Sequence, residues 1–211
     1  MTTTTFQSMS PKGVPTLGDI APNFSLKSIR GETIQLKNYA GKMRVILWFS
    51  RGFTCPYCRG FIDVVANGYD DLRQKNIEII QISPNLRQSA IRFFDGSPPP
   101  YPMVFDPDKR LFANYGIGRK GVVSATGLMA KSVVESARRG ELGTTLRATT
   151  LDVVDNRFLQ RLHHHAFTAT NQALIAIDID GTIRHHHQIG VLEDLPSASS
   201  MIKFLEKGSE G

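Results

Sequence analysis

"MRVILWFSRGFTCPYCRGF" (43–61) joins an apolar run to two closely spaced cysteines. Residues 43–49 form a nearly continuous apolar run of strand length, as expected for a strand buried on both faces. Beyond it, Phe61, Val64, Val65 and Leu72 fall at helical spacing, which predicts a helix from about Cys55 to Gln74 with a bend at Gly68. Cys55 and Cys58, the only two cysteines of the chain, therefore sit where a buried strand hands over to a helix.

Working outward, "FSLKSIRGETIQL" (24–36) has two short extended runs around Arg30-Gly31, a hairpin signal. "IEIIQIS" (77–83) is a second buried strand, Leu86–Phe94 a helix, and "MVF" (103–105) a short strand after the proline cluster "SPPPYP" (97–102). Asp108 to Tyr115 reads as a helix closed by Gly116. This alternation predicts an α/β domain with a central sheet. Residues 118–169 break the rhythm with a Gly/Ser region, a helix at 127–138, a polar stretch and a weaker helical candidate at 152–162. They are expected to be an insertion. "ALIAIDIDGTIRHHH" (173–187) reads as strand, Asp-Gly turn and strand, and "SASSMIKFLEK" (197–207) as a closing helix. Residues 1–16 are expected to be a mobile arm, leaving 17–211 as one domain.

With 211 residues and 41% hydrophobic content, the chain can bury a core without covalent help. The net charge of +6 invites a nucleic-acid reading. Its basic residues, however, are scattered or occur only in pairs, and no nucleic-acid-binding motif accompanies them; no nucleic-acid partner is expected. The apolar run "VILWF" is too short to span a bilayer, so no membrane partner is expected either. The N-terminus lacks the charged-then-apolar pattern of a secretory signal, and two cysteines in such a chain suit a reducing, cytoplasmic setting.

Two thiols separated by Pro56 and Tyr57 can be a redox pair, half of a zinc site or a structural staple. At a helix start, unpaired N–H groups and the helix dipole stabilise an anion. Arg51 and Arg59 flank the pair and are expected to act in the same direction. Cys55 should thus carry a lowered pKa, with Cys58 one turn further in and more sheltered: a nucleophile and a resolving thiol. Pro56 suits the first helical position, where its missing N–H costs nothing. A disulfide closing so short a loop would stabilise the fold by only about 2 kcal/mol, which weakens the staple reading.

Six histidines in two triplets, His163–His165 and His185–His187, read first as polar edge-strand and helix-end residues, with a metal site of histidines alone or a mixed Cys/His zinc site as alternatives. Both triplets lie far from the cysteines in sequence. In a strand, His185 and His187 would share one face with Ile183, and His186 would point the other way. "LIAIDIDGTI" (174–183) also matches the opening motif of haloacid-dehalogenase-type phosphatases, with Asp178 as nucleophile, Asp180 as acid/base and magnesium as cofactor. Only 30 residues follow Gly181, without a paired acidic magnesium motif. A turn with Asp-Gly explains the same letters.

Several of these stretches together resemble the alkyl hydroperoxide reductase/thiol-specific antioxidant (AhpC/TSA) family, the peroxiredoxin-like branch of the thioredoxin fold. They are "GDIAPNFSL" (18–26), "YAGKMRVILWF" (39–49), "CPYC", "ISPN" (82–85), "PMVFDPDKRLFANYGI" (102–117) and "LIAIDIDGTIRH" (174–185). "RGFTCPYC" is similar to a CPYC subgroup within that family. The resemblance implies a thioredoxin-like fold: a central mixed β-sheet flanked by helices, with a helical insertion before the last hairpin. It implies a thiol oxidoreductase needing no cofactor, acting on a peroxide or disulfide substrate, recycled by a thioredoxin- or glutathione-type reductant, and it allows a homodimer. By analogy, Tyr101-Pro102 would lie in the loop near the thiols.

The sequence departs from the family at four places. Proline seven residues and threonine or serine three residues before the peroxidatic cysteine are replaced by Trp48 and Gly52. The arginine that orients peroxide falls near Gln172, and no proline stands there as in thioredoxins. Thr54 replaces the tryptophan usual before the first cysteine and is expected to hydrogen-bond the thiolate. A thioredoxin fold used only as a binding module is the remaining alternative.

Overall fold

The computed structural model describes residues 13–118, 133–155, 171–189 and 195–206. A small hairpin, β1 (Ser25–Lys27) with β2 (Thr33–Gln35), precedes the main sheet. The central strand is β3 (Arg44–Phe49). Parallel to it runs β4 (Ile77–Ser83), and β5 (Met103–Phe105) is parallel to β4 in turn. On its other side β3 pairs antiparallel with β6 (Gln172–Ile177), which pairs antiparallel with β7 (Ile183–Ile189). The five-stranded mixed sheet has the order β5-β4-β3-β6-β7.

The apolar run of β3 is buried on both faces. Ile46 and Trp48 enter one core cluster, while Val45, Leu47 and Phe49 enter the other. This follows from the period-two geometry of a strand; each large side chain so buried stabilises the fold by about 1.5–3 kcal/mol. In β6 the same alternation sends Leu174 and Ala176 to the Trp48 side. Gln172, two residues before Leu174, shares their side of the strand.

Helices cover both faces. The expected helix over 55–74 is two helices, α1 (Pro56–Asn67) and α2 (Tyr69–Gln74), broken at Gly68. A Cβ on Gly68 would lie 2.6 Å from the Cβ of Ala198, so the glycine permits close approach of the closing helix. After α3 (Arg87–Phe94) and β5, the predicted helix 108–115 is shorter, α4 (Arg110–Asn114). Asp106 caps it, its carboxylate accepting from the N–H groups of Arg110, Leu111 and Phe112.

The insertion corrects one expectation. Residues 133–138 are helical, but the polar stretch after them is also helix, α5 (Leu142–Asp155). Its threonines hid it: Thr145 and Ala148 are buried there, where a helical stripe usually shows larger apolar residues. The rest of the candidate at 152–162, beyond Asp155, and most of the one at 127–138 lie outside the described residues, as does most of the expected arm. The closing helix is α6 (Ala198–Glu206).

A second correction concerns β7. A register shift beside Ala176/Ile177 pairs Ile177 with Ile183 but Ala176 with His185. The irregularity sends Ile183 into the cluster of Ile175 and Ile177. His185 instead stacks on Phe204 of α6, centroids 4.0 Å apart, with His187 stacked 6.2 Å away on the same face. Ile183 and the two histidines therefore do not share a face.

Candidate active site

Cys55 is the N-cap of α1, with Pro56 in its first turn, so the thiols stand where the strand-to-helix junction was read. Both are free; Cys55 is half-buried and Cys58 fully buried. The Cys55 thiol is lowered to about 6. The largest cause is a hydrogen bond from the Cys58 side chain, opposed by burial and aided by the Arg51 guanidinium and the N–H groups of Cys58 and Tyr57. Burial, and then its hydrogen bond to Cys55, push the Cys58 thiol well above the ordinary range. The pair thus holds an acidic outer thiol and a protonated inner one.

Gln172 joins them. The Cys58 Sγ donates to Gln172 Oε1 at 3.4 Å, and both side chains are buried. The first residue of β6 therefore reaches the inner thiol.

Arg59 does not act as expected. Its guanidinium turns away from the thiols to Glu141 at 2.8 Å, the Thr145 hydroxyl at 2.7 Å and the Phe53 carbonyl at 3.1 Å. Burial explains this choice: a nearly enclosed guanidinium needs several fixed acceptors, and the insertion supplies two of the three. Arg139 from the same insertion lies over the Tyr57 ring, 5.3 Å from its centroid, and pairs with Glu135. The insertion is thus packed against the start of α1.

Thr54 is half-buried, and the side-chain hydrogen bond that favours the Cys55 thiolate comes from Cys58. Tyr101 is wholly buried behind α1, its hydroxyl 3.3 Å from Gln81 Oε1 and 3.5 Å from the Ile62 carbonyl. Pro102, half-buried, leads into β5, where its carbonyl accepts from the Gln81 N–H at 2.9 Å. Tyr101 and Pro102 therefore brace the sheet and α1 through Gln81 and Ile62.

Sequence reading missed the polar network under the thiol loop. Asn85 Oδ1 accepts from the Phe53 N–H at 3.1 Å and the Ser83 hydroxyl at 2.9 Å. The Ser50 hydroxyl accepts from the Gly52 N–H at 3.2 Å and from Gln81 Nε2 at 2.9 Å. All four side chains are buried. Gly52 has φ +83°, and a Cβ there would lie 1.8 Å from Asn85 Oδ1. The only available signal was polar letters, Gln81, Ser83 and Asn85, in and just after an apolar strand.

The competing motifs find other uses. Asp178 accepts from Arg184 Nε at 3.1 Å and Asp180 lies 3.5 Å from the same guanidinium, while Thr182 bonds Asp180 to close the turn. Among the described residues, no three His, Cys, Asp or Glu side chains are placed to hold a metal ion. His163–His165 lie outside them. No helix of the described residues is long and apolar enough to cross a membrane.

A sequence model described as the AhpC/TSA family matches residues 17–186. A putative peroxiredoxin of Mycobacterium tuberculosis is 28% identical over 101 residues, 48% of this chain and 64% of the relative. Thiol-disulfide oxidoreductase ResA of Halalkalibacterium halodurans is 32% identical over 101 residues, 47% of this chain and 56% of the relative. The chain thus spans less than two thirds of the length of either. Among solved structures, peroxidoxin BcpB from Mycobacterium tuberculosis superposes with a TM-score of 0.59 at 13% identity, covering 92% of this chain and 97% of the other. That likeness establishes the thioredoxin-like fold, with its mixed sheet flanked by helices.

Proposed function

The chain belongs to the AhpC/TSA family, and on that premise we propose that it is a thiol oxidoreductase cycling between a Cys55/Cys58 dithiol and its disulfide. The observation that carries this reading is the opposite displacement of the two thiols. Cys55 is lowered to about 6 and accepts a hydrogen bond from Cys58, which burial keeps protonated. The thiolate is the nucleophilic form, so Cys55 attacks and Cys58 resolves.

With a peroxide, the Cys55 thiolate attacks one oxygen, the O–O bond breaks, and the other oxygen leaves as an alcohol or water after taking a proton. The sulfenic acid then condenses with the Cys58 thiol, releasing water. With a disulfide substrate, Cys55 displaces one thiol to form a mixed disulfide, and Cys58 displaces the second. Either route ends in the Cys55–Cys58 disulfide, which an external dithiol or two monothiols, of thioredoxin or glutathione type, return to the dithiol. Such cycling belongs in a reducing, cytoplasmic setting. A homodimer is compatible with this chemistry, which needs only one chain.

Rapid mixing of the reduced protein with hydrogen peroxide, an organic peroxide and a model disulfide tests the reading. The protein should consume at least one of them stoichiometrically, with the relative rates naming the substrate class. Cys55→Ser should abolish the reaction, and Cys58→Ser should stop it at the sulfenic acid or mixed disulfide. Full turnover by Cys55→Ser would overturn it.

A further inference from the structure

We propose that Gln172 is a positioning residue that sets how readily the dithiol oxidises, its buried amide oxygen holding the Cys58 proton and so favouring the reduced pair. The inference rests on the redox reading above and adds a residue to it. Cys58 and Gln172 are 114 positions apart, and the Sγ–Oε1 distance is 3.4 Å. Cys58 has no exposed surface and Gln172 1%. The contact follows from the strand's alternation: Leu174 and Ala176 pack in the cluster that holds Phe61 and Ile62 of α1. Gln172 lies on that same side, at the end of β6 that meets the start of α1.

An amide oxygen accepts a hydrogen bond but is too weak a base to take the proton. In the reduced protein it therefore steadies Cys58 as the neutral thiol. Oxidation removes that donor. Whether Cys58 condenses with a Cys55 sulfenic acid, its hydrogen leaving in water, or displaces a thiol from a mixed disulfide, its hydrogen leaving on that thiol, the S–H bond is gone. Gln172 Oε1 then stays behind in a region closed to solvent, without its donor. A stranded buried acceptor weighs against the oxidised form by about fivefold to a hundredfold in the equilibrium constant.

The same bond has a second consequence. Cys58 carries one proton and faces two acceptors, Gln172 Oε1 and the Cys55 sulfur. Gln172 competes for the donor that acidifies Cys55. Removing the amide should leave Cys58 wholly to the Cys55 thiolate, which steadies the reduced pair wherever Cys55 is ionised and there opposes the first effect.

The test equilibrates full-length wild type and Gln172→Met in mixtures of reduced and oxidised dithiothreitol, with dithiol and disulfide counted by mass after acid quenching. Methionine keeps the side chain's length and lacks the amide. At about pH 5, below the Cys55 transition, the variant's disulfide should persist to a dithiothreitol ratio at least about fivefold more reducing, a tenfold change corresponding to about 30 mV. Its Cys55 thiolate absorbance should half-titrate at lower pH than in the wild type. An unchanged redox midpoint in the folded variant, or one shifted the opposite way, overturns the proposal. Gln172→Leu is measured in the same way if the methionine variant does not fold. A wild type that forms no Cys55–Cys58 disulfide overturns the underlying redox reading and this proposal together. A wild-type disulfide with an unmoved midpoint overturns only the role of Gln172.

Discussion

Arg59 and Glu141 meet at 2.8 Å, so the residue immediately after Cys58 is anchored to the insertion, 82 positions away, and not to the thiols. The pair ties the first turn of α1 to the residue that precedes α5. With Arg139 over Tyr57, it makes the insertion part of the wall around the candidate active site.

Glu141→Ala should destabilise the protein by about 1–2 kcal/mol, because it leaves a nearly buried guanidinium short of one acceptor. Glu135→Ala, which removes the Arg139 pair on a more open surface, should cost less than about 1 kcal/mol. Urea unfolding measures both. Equal losses would mean that the Arg59 pair is solvated like an ordinary surface bridge.

Alkylation of Cys55 by iodoacetamide should rise through a transition near pH 6 and level off above it. Cys58→Ala should move that transition up, since it removes the largest cause of the shift. The folded pKa lies below the value of about 8.5 for an unfolded thiol. The thiolate therefore adds stability that is complete above the unfolded value and lost as pH falls through about 6. A transition near the unfolded value in the wild type would contradict the geometry.

Gly52→Thr, which restores the family's residue, should not create a better peroxidase. Threonine would have to adopt φ near +83° and displace Asn85 Oδ1; backbone strain alone costs about 1–3 kcal/mol. We expect a strongly destabilised protein. Asn85→Ala should itself be destabilising, through loss of the bond to the Phe53 N–H, yet relieve part of the Gly52→Thr penalty. Thermal unfolding of the two single variants and the double variant measures that coupling; strictly additive losses would argue against the clash.

Protection factors of the amides in α6 should fall as the solution is acidified through the histidine range. Burial, then repulsion from neighbouring histidines, lowers the pKa of His185, and burial followed by His187 lowers that of His186. The unfolded chain therefore takes up protons first as pH falls below about 6.5. Stability present above that value is lost as pH falls through the lower folded values. His185→Phe keeps an aromatic face for Phe204 and should weaken the dependence; an unaltered pH profile would assign it elsewhere.

Much of this protein was legible along the chain because its strands and first helix repeat a local pattern. The run from Val45 to Phe49 reads as a strand buried on both sides from its letters alone. Helical spacing after it places Cys55 at a helix start, where an anion is stabilised. The Asp-Gly turn was equally local: Asp178, Asp180 and Thr182 bond within a few residues and to nearby Arg184. Helix α5 was obscured because its inward face carries Thr145 and Ala148, which give little amphipathic contrast.

Periodicity and residue chemistry over short spans suffice for an α/β domain with a dithiol at the mouth of a helix. The surroundings of that dithiol come from packing between distant segments. Asn85 under the loop, Glu141 on Arg59 and Gln172 on Cys58 are partners 32, 82 and 114 residues apart. No local spacing encodes such contacts. Sheet order and strand alternation bring them together, and burial then makes every one of their polar atoms matter.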